Sequence, residues 1–309
     1  MSKELIDVYV CVFPIVLLSA LAEGLWFTFR GPKGFDWKSW ACSLGDVVGR
    51  SAMMLFPYTL VGPLFVVAYQ HRLFTLAPDS IANVLLLIVG LEFCYYWYHR
   101  AAHTVRWFWM SHSVHHSPNE LTLAAAYRLG WFGKLSGTTV FFAPLVFLGF
   151  EPKIVLSALL LNLLYQFWLH AEWIPKLGWL EYVLNTPSGH RVHHARNPEY
   201  LDANFGGVLI VFDRLFGTYV EERDEVKYDF GLVSRMETHN PFIINFSPWI
   251  GLVRDLASAR SPREAWMYLF AAPGWRPDGQ GLTAKEIRAR GTLQHPVEAH
   301  PVPAQAIMT

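Results

Sequence analysis

Three long apolar stretches constrain the fold of this chain more than any other feature of its sequence. They run from about Ile6 to Phe29, from Ser51 to Gln70 and from Ile81 to Tyr98. Each is long enough for a helix that crosses a bilayer, which takes roughly 20 apolar residues. A fourth apolar region, Thr138 to Trp168, is interrupted by the sequence FEPK at residues 150–153 and predicts a helical hairpin. We therefore expect an all-α, integral membrane helical bundle of about three spanning helices plus this hairpin.

The overall composition agrees with a membrane protein. Hydrophobic residues make up 53% of the 309 residues and charged residues only 16%, whereas an ordinary soluble domain has roughly 25% charged residues. The formal net charge is zero and the lysines and arginines occur singly, so we expect no nucleic-acid partner. Cys11, Cys42 and Cys94 form no Cys-x-x-Cys pair, which argues against a disulfide framework and against a thiolate zinc site.

The chain has no internal repeat apart from the histidine motifs described below, and no second region with a core of its own. We predict a single membrane-embedded domain at residues 1–280, with a histidine-rich region at about 91–220. The stretch that begins at Asn204 is first apolar and then charged, which is typical of an interfacial helix. Residues 281–309 are rich in proline, alanine and polar residues, and we expect them to form a mobile tail.

The order of the apolar stretches brings the histidine-rich segments to one face of the membrane. A hairpin that enters and returns delivers His170 to the face at which the third stretch ends, and no later apolar stretch separates it from His190. The positive charges near that face are Arg30, Lys33, Lys38 and Arg50, and the opposite face shows mainly Lys3 and Arg72. Because cytoplasmic loops carry an excess of lysine and arginine, we predict a cytosolic helical cap that carries the histidines. The C-terminal residues show no retention signal, so we expect a bacterial inner membrane in preference to the endoplasmic reticulum.

Nine histidines lie in short patterns near the ends of the apolar stretches. One segment has the spacing H-x3-H and two have H-x2-H-H. Residues three and four apart on a helix share a face, so each segment presents its imidazoles as a group. Nine imidazoles exceed the four ligands of a structural zinc and suit two metals with open positions, although imidazole alone does not choose among iron, zinc, copper and nickel. The candidate catalytic and metal-binding residues are His99, His103, His112, His115, His116, His190, His193 and His194, with His170 as a ninth candidate ligand.

The remaining histidines are isolated in the sequence, and an isolated histidine is usually an ordinary surface or core residue. We assign that ordinary role to His71, His239, His295 and His300. His170 also stands alone, and only its place at the end of the returning helix favours a ligand.

Ligating histidines usually donate their second N–H to a carboxylate or a carbonyl. The nearest candidates for that outer role are Asp202, Asp213 and Asn185. Asp213 stands next to Arg214, so a surface ion pair explains it equally well.

The order of the histidine motifs beside membrane helices resembles the fatty acid hydroxylase and sterol desaturase superfamily of membrane di-iron oxygenases. The segments FCYYWYHRAAH, SGHRVHHARNPEYLDANFGGVLIVFDRLFGTY and APGW are most similar to the alkylglycerol monooxygenases and their bacterial relatives. The resemblance covers roughly residues 91–275. It implies two iron ions held by the nine histidines, and an oxidoreductase that uses O2 to hydroxylate a C–H bond of a membrane lipid. An alkylglycerol, which is an ether lipid, is the favoured substrate.

One departure from that pattern concerns the electron donor. In the alkylglycerol monooxygenases an acidic residue follows the H-x3-H pair, whereas this chain has Thr104. If that acid serves tetrahydrobiopterin, the departure argues against this reductant, and a cytochrome or a ferredoxin becomes the alternative. The sequence has no Gly-rich dinucleotide fingerprint and no appended haem-binding domain, so the electrons are expected to come from an external donor.

Other functions explain the histidines less well. Within the same superfamily, a hydroxylase of a fatty acyl or amino-acid lipid and a sterol oxidase or desaturase stay open. A metal transporter would place its ligands inside the helices near the midplane, whereas these lie past the helix ends. A bis-histidine haem protein takes one histidine from each facing helix and has no use for adjacent pairs.

Overall fold

The computed structural model describes residues 3–32, 34–55 and 61–293, and its regular elements are helices. Short 3₁₀ turns and three isolated β-bridges complete the secondary structure of the described residues. The α-helices are α1 (Lys3–Arg30), α2 (Trp37–Met54), α3 (Gly62–Gln70), α4 (Ile81–Thr104), α5 (Arg106–His115), α6 (Gly133–Ser136), α7 (Ala143–Leu148), α8 (Pro152–Phe167), α9 (Pro187–His194), α10 (Val211–Phe216), α11 (Pro241–Ala257), α12 (Pro262–Phe270) and α13 (Ala284–Arg290).

Three of these helices are long and apolar enough to cross a membrane. The spanning segments are Val12–Arg30, Ile81–Thr104 and Pro152–His170. Large apolar side chains on them remain exposed, for example Leu18 at 61% and Leu161 at 59%. Such surfaces are compatible with lipid and unfavourable in water. The expected all-α membrane bundle is therefore confirmed.

The stretch from Ser51 to Gln70 was predicted to be a spanning helix, but it is not among the candidate spans of the described residues. Its described part consists of the end of α2 and the nine-residue α3, and residues 56–60 lie outside the described residues. Pro63 stands at the start of α3, where a proline favours the beginning of a new helix because it lacks an N–H. The returning arm of the predicted hairpin, Pro152–His170, is the third span instead.

The core of the bundle lies where α3, α4, α7 and α8 meet. Its largest buried side chains include Phe65 on α3, Leu91 on α4 and Phe150 before α8. The short α3 and α7 pack together, so that two half-length helices fill the space beside the longer ones. Backbone bonds join their far ends, with Leu73 N donating to Phe147 O at 2.9 Å.

A chain of buried polar side chains crosses between α4 and α8. The amide of Asn162 donates to Glu92, Gln166 Nε2 donates to Asn162 Oδ1 at 2.6 Å, and Tyr95 OH donates to Gln166 Oε1 at 2.9 Å. The second oxygen of Glu92 accepts the backbone N–H groups of residues 208 and 209, both at 2.9 Å. These bonds fix the segment that precedes α10 onto the membrane helices.

The helices that carry the histidines form a cap on one end of the bundle. After α4, the extended residue Val105 turns the chain into α5, which packs against α11 and α12. Helix α9 is almost entirely buried. Arg191 of α9 forms a buried ion pair with Glu222 at 2.7 Å and donates to the carbonyl of Ile174 at 2.6 Å. These contacts attach α9 to the segment that follows His170.

Part of the predicted mobile tail is helical. Helix α13 begins with a capping box between Thr283 and Glu286 and buries Ile287. Arg288 donates to the carbonyl of Leu201. This segment therefore packs against the histidine-rich region, whereas residues 294–309 lie outside the described residues.

Candidate metal centre

The structure brings the nine predicted histidines together as two groups. The H-x3-H pair lies on the last turns of α4, the first triplet at the end of α5, His170 after α8, and the second triplet on α9. Within each group the candidate ligand atoms all lie within 4.8 Å of one another, and every ring is buried. The five-histidine cluster is His99, His103, His112, His116 and His193. The four-histidine cluster is His115, His170, His190 and His194.

His112 is at the centre of the five-histidine cluster. Its Nε2 lies 3.0 Å from Nε2 of His99, 3.1 Å from that of His103 and 3.2 Å from that of His116. The ring of His193 closes the group from α9, with its centroid 4.4 Å from that of His99. Ligands from three helices thus converge on one point.

His170 is at the centre of the four-histidine cluster. Its Nε2 lies 3.1 Å from Nε2 of His190 and 3.4 Å from Nε2 of His115. The two clusters are neighbours, since the rings of His116 and His194 stack with centroids 4.3 Å apart. The arrangement therefore offers two adjacent sites and not one extended site.

The hydrogen bonds of His115 and His170 fix which of their ring nitrogens carries the proton. Nδ1 of His115 lies 3.1 Å from the carbonyl of Arg128, and Nδ1 of His170 lies 3.0 Å from the carbonyl of Gln166. A carbonyl only accepts, so both Nδ1 atoms must donate and both Nε2 atoms present lone pairs. These lone pairs face each other across 3.4 Å. A cation between them turns this repulsive contact into coordination.

The protonation of the rings supports the same conclusion. Burial lowers the pKa of His115 and of His193 to about 3, so both rings are neutral at pH 7. Nε2 of His193 and Nε2 of His194 are buried without a hydrogen-bond partner among the described residues. An unpaired buried polar atom costs about 1–3 kcal/mol, and neutral imidazole is the form that binds metal. The donor set thus fits a metal site.

The outer residues predicted from sequence divide into two roles. Oδ1 of Asp202 lies 3.4 Å from Nδ1 of His103, which places a carboxylate beside a clustered ring. Asp213 contacts no histidine ring among the described contacts and instead accepts the N–H groups of Phe205 and Gly206, both at 2.7 Å. It is buried, so the alternative of a surface ion pair with Arg214 is wrong. Asn185 likewise binds the backbone, through a 2.7 Å bond to the carbonyl of Gly206.

Several residues that hold the site were not singled out from the sequence. Glu92 was detectable, because it is a lone carboxylate inside an apolar stretch. Arg191 lies within the second triplet and its burial was not apparent from spacing. The backbone carbonyls of Phe205 and Ala203, which accept from His99 and His193 at 2.9 Å, carry no side-chain signal at all.

The histidines assigned an ordinary role lie apart from both clusters where they are described. His239 pairs with Asp36 at 3.0 Å, and His71 follows the end of α3. His295 and His300 lie outside the described residues. Thr104, at the position of the expected acid, donates its hydroxyl to the carbonyl of Arg100 at 2.9 Å. Cys42 and Cys94 are buried free thiols.

Comparison with known proteins identifies this histidine-rich region. A family model for fatty acid hydroxylase matches residues 84–218, a range that includes all nine clustered histidines. Residues 84–218 thus match the fatty acid hydroxylase family. The three apolar spans of the described residues support an integral membrane protein, and the histidine clusters fit a metal site.

The fatty acid hydroxylase domain has curated relatives with known activities. Alkylglycerol monooxygenase of Xenopus tropicalis is 39% identical over 208 residues, which is 67% of this chain and 46% of that protein. The human enzyme of the same name is 38% identical over 217 residues, 70% of this chain and 48% of that protein. Ornithine lipid hydroxylase of Rhizobium tropici is 26% identical over 162 residues, 52% of this chain and 49% of that protein. The chain thus spans about half the length of these relatives, and no solved structure matches it.

Proposed function

We propose that this protein is a membrane-embedded, iron-dependent monooxygenase that hydroxylates a C–H bond of a membrane lipid. The observation that carries the proposal is the opposed pair of Nε2 lone pairs on His115 and His170, 3.4 Å apart in a buried cluster. The fatty acid hydroxylase domain and the alkylglycerol monooxygenase relatives support iron as the metal and a lipid as the substrate.

We assign one iron ion to each cluster. All nine histidines would be ligands, which gives five imidazoles to one ion and four to the other. When bound, iron supplies the activation of O2 and the removal of hydrogen from an unactivated C–H bond. The chain supplies neutral, oriented imidazoles and a site from which bulk water is excluded by burial.

An ether lipid is the substrate that we favour, because alkylglycerol monooxygenases are the relatives at 38–39% identity. Hydroxylation of the carbon next to the ether oxygen takes one O2, two electrons and two protons, and releases one water. The hemiacetal that forms then collapses to an aldehyde and a glycerol. Hydroxylation of an acyl or amino-acid lipid is the alternative, favoured by the likeness to ornithine lipid hydroxylase.

The two electrons would come from an external donor, and tetrahydrobiopterin, a cytochrome and a ferredoxin are the candidates. Thr104 counts against tetrahydrobiopterin, because it stands where the alkylglycerol monooxygenases that the chain resembles have an acidic residue. We further propose that the cap faces the cytoplasm of a bacterial cell, on the grounds of the lysines and arginines near that face. Labelling of an Asp224→Cys variant from each side of membrane vesicles tests this orientation, since Asp224 is 87% exposed on the cap.

The function is tested with protein purified in mild detergent and assayed for iron and for lipid oxidation. We expect about two irons per chain and, with O2 and each reductant in turn, release of a fatty aldehyde from a 1-O-alkylglycerol. The matching 1-acylglycerol should give no aldehyde. Oxidation of the ester and not the ether would remove the alkylglycerol proposal, and a carefully prepared protein without stoichiometric metal would remove the oxygenase proposal altogether.

A further inference from the structure

The second nitrogens of the five-histidine cluster depend on one short loop. Residues 202–206, here named the acceptor loop, lie between α9 and α10. The carbonyl of Phe205 accepts from Nδ1 of His99, and the carbonyl of Ala203 accepts from Nδ1 of His193, both at 2.9 Å. The Asp202 carboxylate lies 3.4 Å from Nδ1 of His103. Two of the five rings are thus hydrogen-bonded to a single segment, and a third ring has a carboxylate of that segment beside its Nδ1.

The backbone of the acceptor loop is shaped for this task. Asp202 has φ of 52° and Asn204 has φ of 57°, so two residues with side chains occupy the left-handed region. Such conformations cost free energy and persist where the surroundings impose them. The left-handed conformation of Asn204 is held by its side chain, which donates to the carbonyls of Gly189 at 3.1 Å and of Val220 at 2.8 Å. Left-handed residues at 202 and 204 alternate with residues 203 and 205, and the carbonyls of residues 203 and 205 face the histidine rings.

Further bonds hold the acceptor loop from both sides. Asp213 accepts from the N–H groups of Phe205 and Gly206, and Asn185 donates to the carbonyl of Gly206. The network around Glu92 fixes the residues that follow. The loop is therefore a preformed support and not a segment that orders around a ligand.

The four-histidine cluster has a different surrounding. His115 and His170 donate to the carbonyls of Arg128 and Gln166, which belong to separate parts of the chain. Nδ1 of His190 is buried without a hydrogen-bond partner among the described residues. Among the described residues, no carboxylate forms an ion pair with a ring of this cluster. The two clusters thus differ in the groups that lie beside their second ring nitrogens.

We propose that Asp202 is a positioning residue for the five-histidine site and that the acceptor loop makes this site the tighter of the two for iron. The inference rests on the proposed function, since it presupposes one metal in each cluster. A carboxylate beside the second N–H of a ligating histidine raises the basicity of the ring and fixes its orientation, and its loss typically weakens metal binding about 10–100-fold. No such partner acts on the four-histidine site, so the effect is confined to one metal.

The experiment compares iron retention in Asp202→Ala, Asp202→Asn and the control Asp224→Ala, each dialysed against a chelator of graded concentration. Asp224 is an exposed carboxylate in an ion pair with Lys176, far from both clusters in its contacts. In wild type we expect the four-histidine iron to leave first, and in Asp202→Ala we expect the five-histidine iron to leave at a chelator concentration about 10–100-fold lower than it does in wild type. Asp202→Asn should fall between them, because its amide oxygen still accepts an N–H but carries no charge. Asp224→Ala should match wild type.

Combined variants identify the site that loses its metal. His170→Ala removes a ligand of the four-histidine cluster, so Asp202→Ala in that background should release the remaining iron at low chelator. His193→Ala disables the five-histidine cluster, and there the Asp202 change should have no further effect. Unchanged release of both irons by a monodisperse Asp202→Ala protein, or tighter retention of iron by His193→Ala than by His170→Ala, would overturn the inference. A wild-type protein without metal would instead overturn the proposed function.

Discussion

Nε2 of His170 lies 3.1 Å from Nε2 of His190, although twenty residues separate them in the sequence. The chain between them is returned to the cap by Arg191, whose guanidinium donates to the carbonyls of Glu172 at 3.1 Å and Ile174 at 2.6 Å. Because the four-histidine cluster has ligands from three separate segments, His170 is the element that ties the membrane helix α8 to the metal centre.

Replacement of His170 by alanine should therefore remove one metal and leave the other. The four-histidine cluster would keep three imidazoles and a void, so we expect iron content to fall from about two to about one per chain, with lipid oxidation lost. Mass spectrometry of the purified protein measures the metal. His239→Ala is the matched control, because His239 is a half-exposed partner of Asp36 outside both clusters. An unchanged iron content in His170→Ala would exclude His170 as a ligand.

Glu92 should be the most sensitive carboxylate for stability. Its replacement by alanine leaves three donors without this acceptor, namely the buried amide of Asn162 and the partly buried N–H groups of Val208 and Leu209. Each such donor costs about 1–3 kcal/mol, so we expect a loss of at least about 3 kcal/mol in the free energy of unfolding. Glu92→Gln should lose less, because one oxygen remains to accept. Denaturant unfolding in detergent measures both, with the exposed Glu225→Gln as control; equal stability of all three variants would contradict this account.

The grouping of histidines was predictable because it depends on local geometry. The spacings H-x3-H and H-x2-H-H place rings on one helical face irrespective of the rest of the chain. The apolar stretches from Ile6 and Ile81 were predicted as spans for a similar reason, since length and hydropathy decide whether a helix fits a bilayer. Helices α1 and α4 indeed contain two of the three spans.

The division of the histidines between the two clusters was not predictable from spacing. His115 and His116 are adjacent in sequence, yet they belong to different clusters, because successive side chains on a helix point about 100° apart. The second triplet divides in the same way, with His193 separated from its neighbours. Which ring joins which metal depends on how α5 and α9 face α4, and that is a property of tertiary packing.

The roles of the residues around the histidines were likewise not predictable from the sequence. Asp202, Asp213 and Asn185 were equivalent candidates by their position in the sequence. Of these three, Asp202 is the one whose side chain lies beside a clustered histidine in the described contacts, and its left-handed backbone conformation is not apparent from the residue type. The start of α3 at Gly62, with Pro63 in its first turn, was likewise not apparent from the hydropathy of the stretch.

Acid should destabilise the metal-free protein as soon as pH falls below the ordinary pKa of histidine. The folded-state pKa of His115 and His193 is about 3, whereas the ordinary value is 6.5, so below pH 6.5 the unfolded state binds more protons and stability declines. Each ring contributes a slope of at most about 1.4 kcal/mol per pH unit. Burial raises the pKa of Asp202 to about 6, which acts in the opposite direction below that pH.

The pH effect is therefore measured best between pH 7.5 and about 6.5, where the unfolded rings begin to bind protons and the Asp202 carboxylate is still mostly ionised. The free energy of unfolding of chelator-treated protein should decline over this interval, and less so in His193→Ala, which lacks one of the contributing rings. Bound iron should shift the decline to lower pH because the metal competes with the protons. A stability that is flat or rises on acidification would show that the rings are not held in the neutral form.

Gly206 should tolerate no side chain, because it closes the acceptor loop. A Cβ at this position would lie 2.3 Å from the backbone carbonyl oxygen of Leu209, which cannot move without breaking the turn, and 3.1 Å from Oδ2 of Asp213. We expect Gly206→Ala to lose about 1–3 kcal/mol of stability through overpacking and to release iron from the five-histidine cluster before the other. Gly251→Ala, in the helix α11 with nothing within 4 Å of its Cβ, should retain both irons and wild-type stability. Equal iron retention by the two variants in the chelator titration would show that the acceptor loop does not support the metal site.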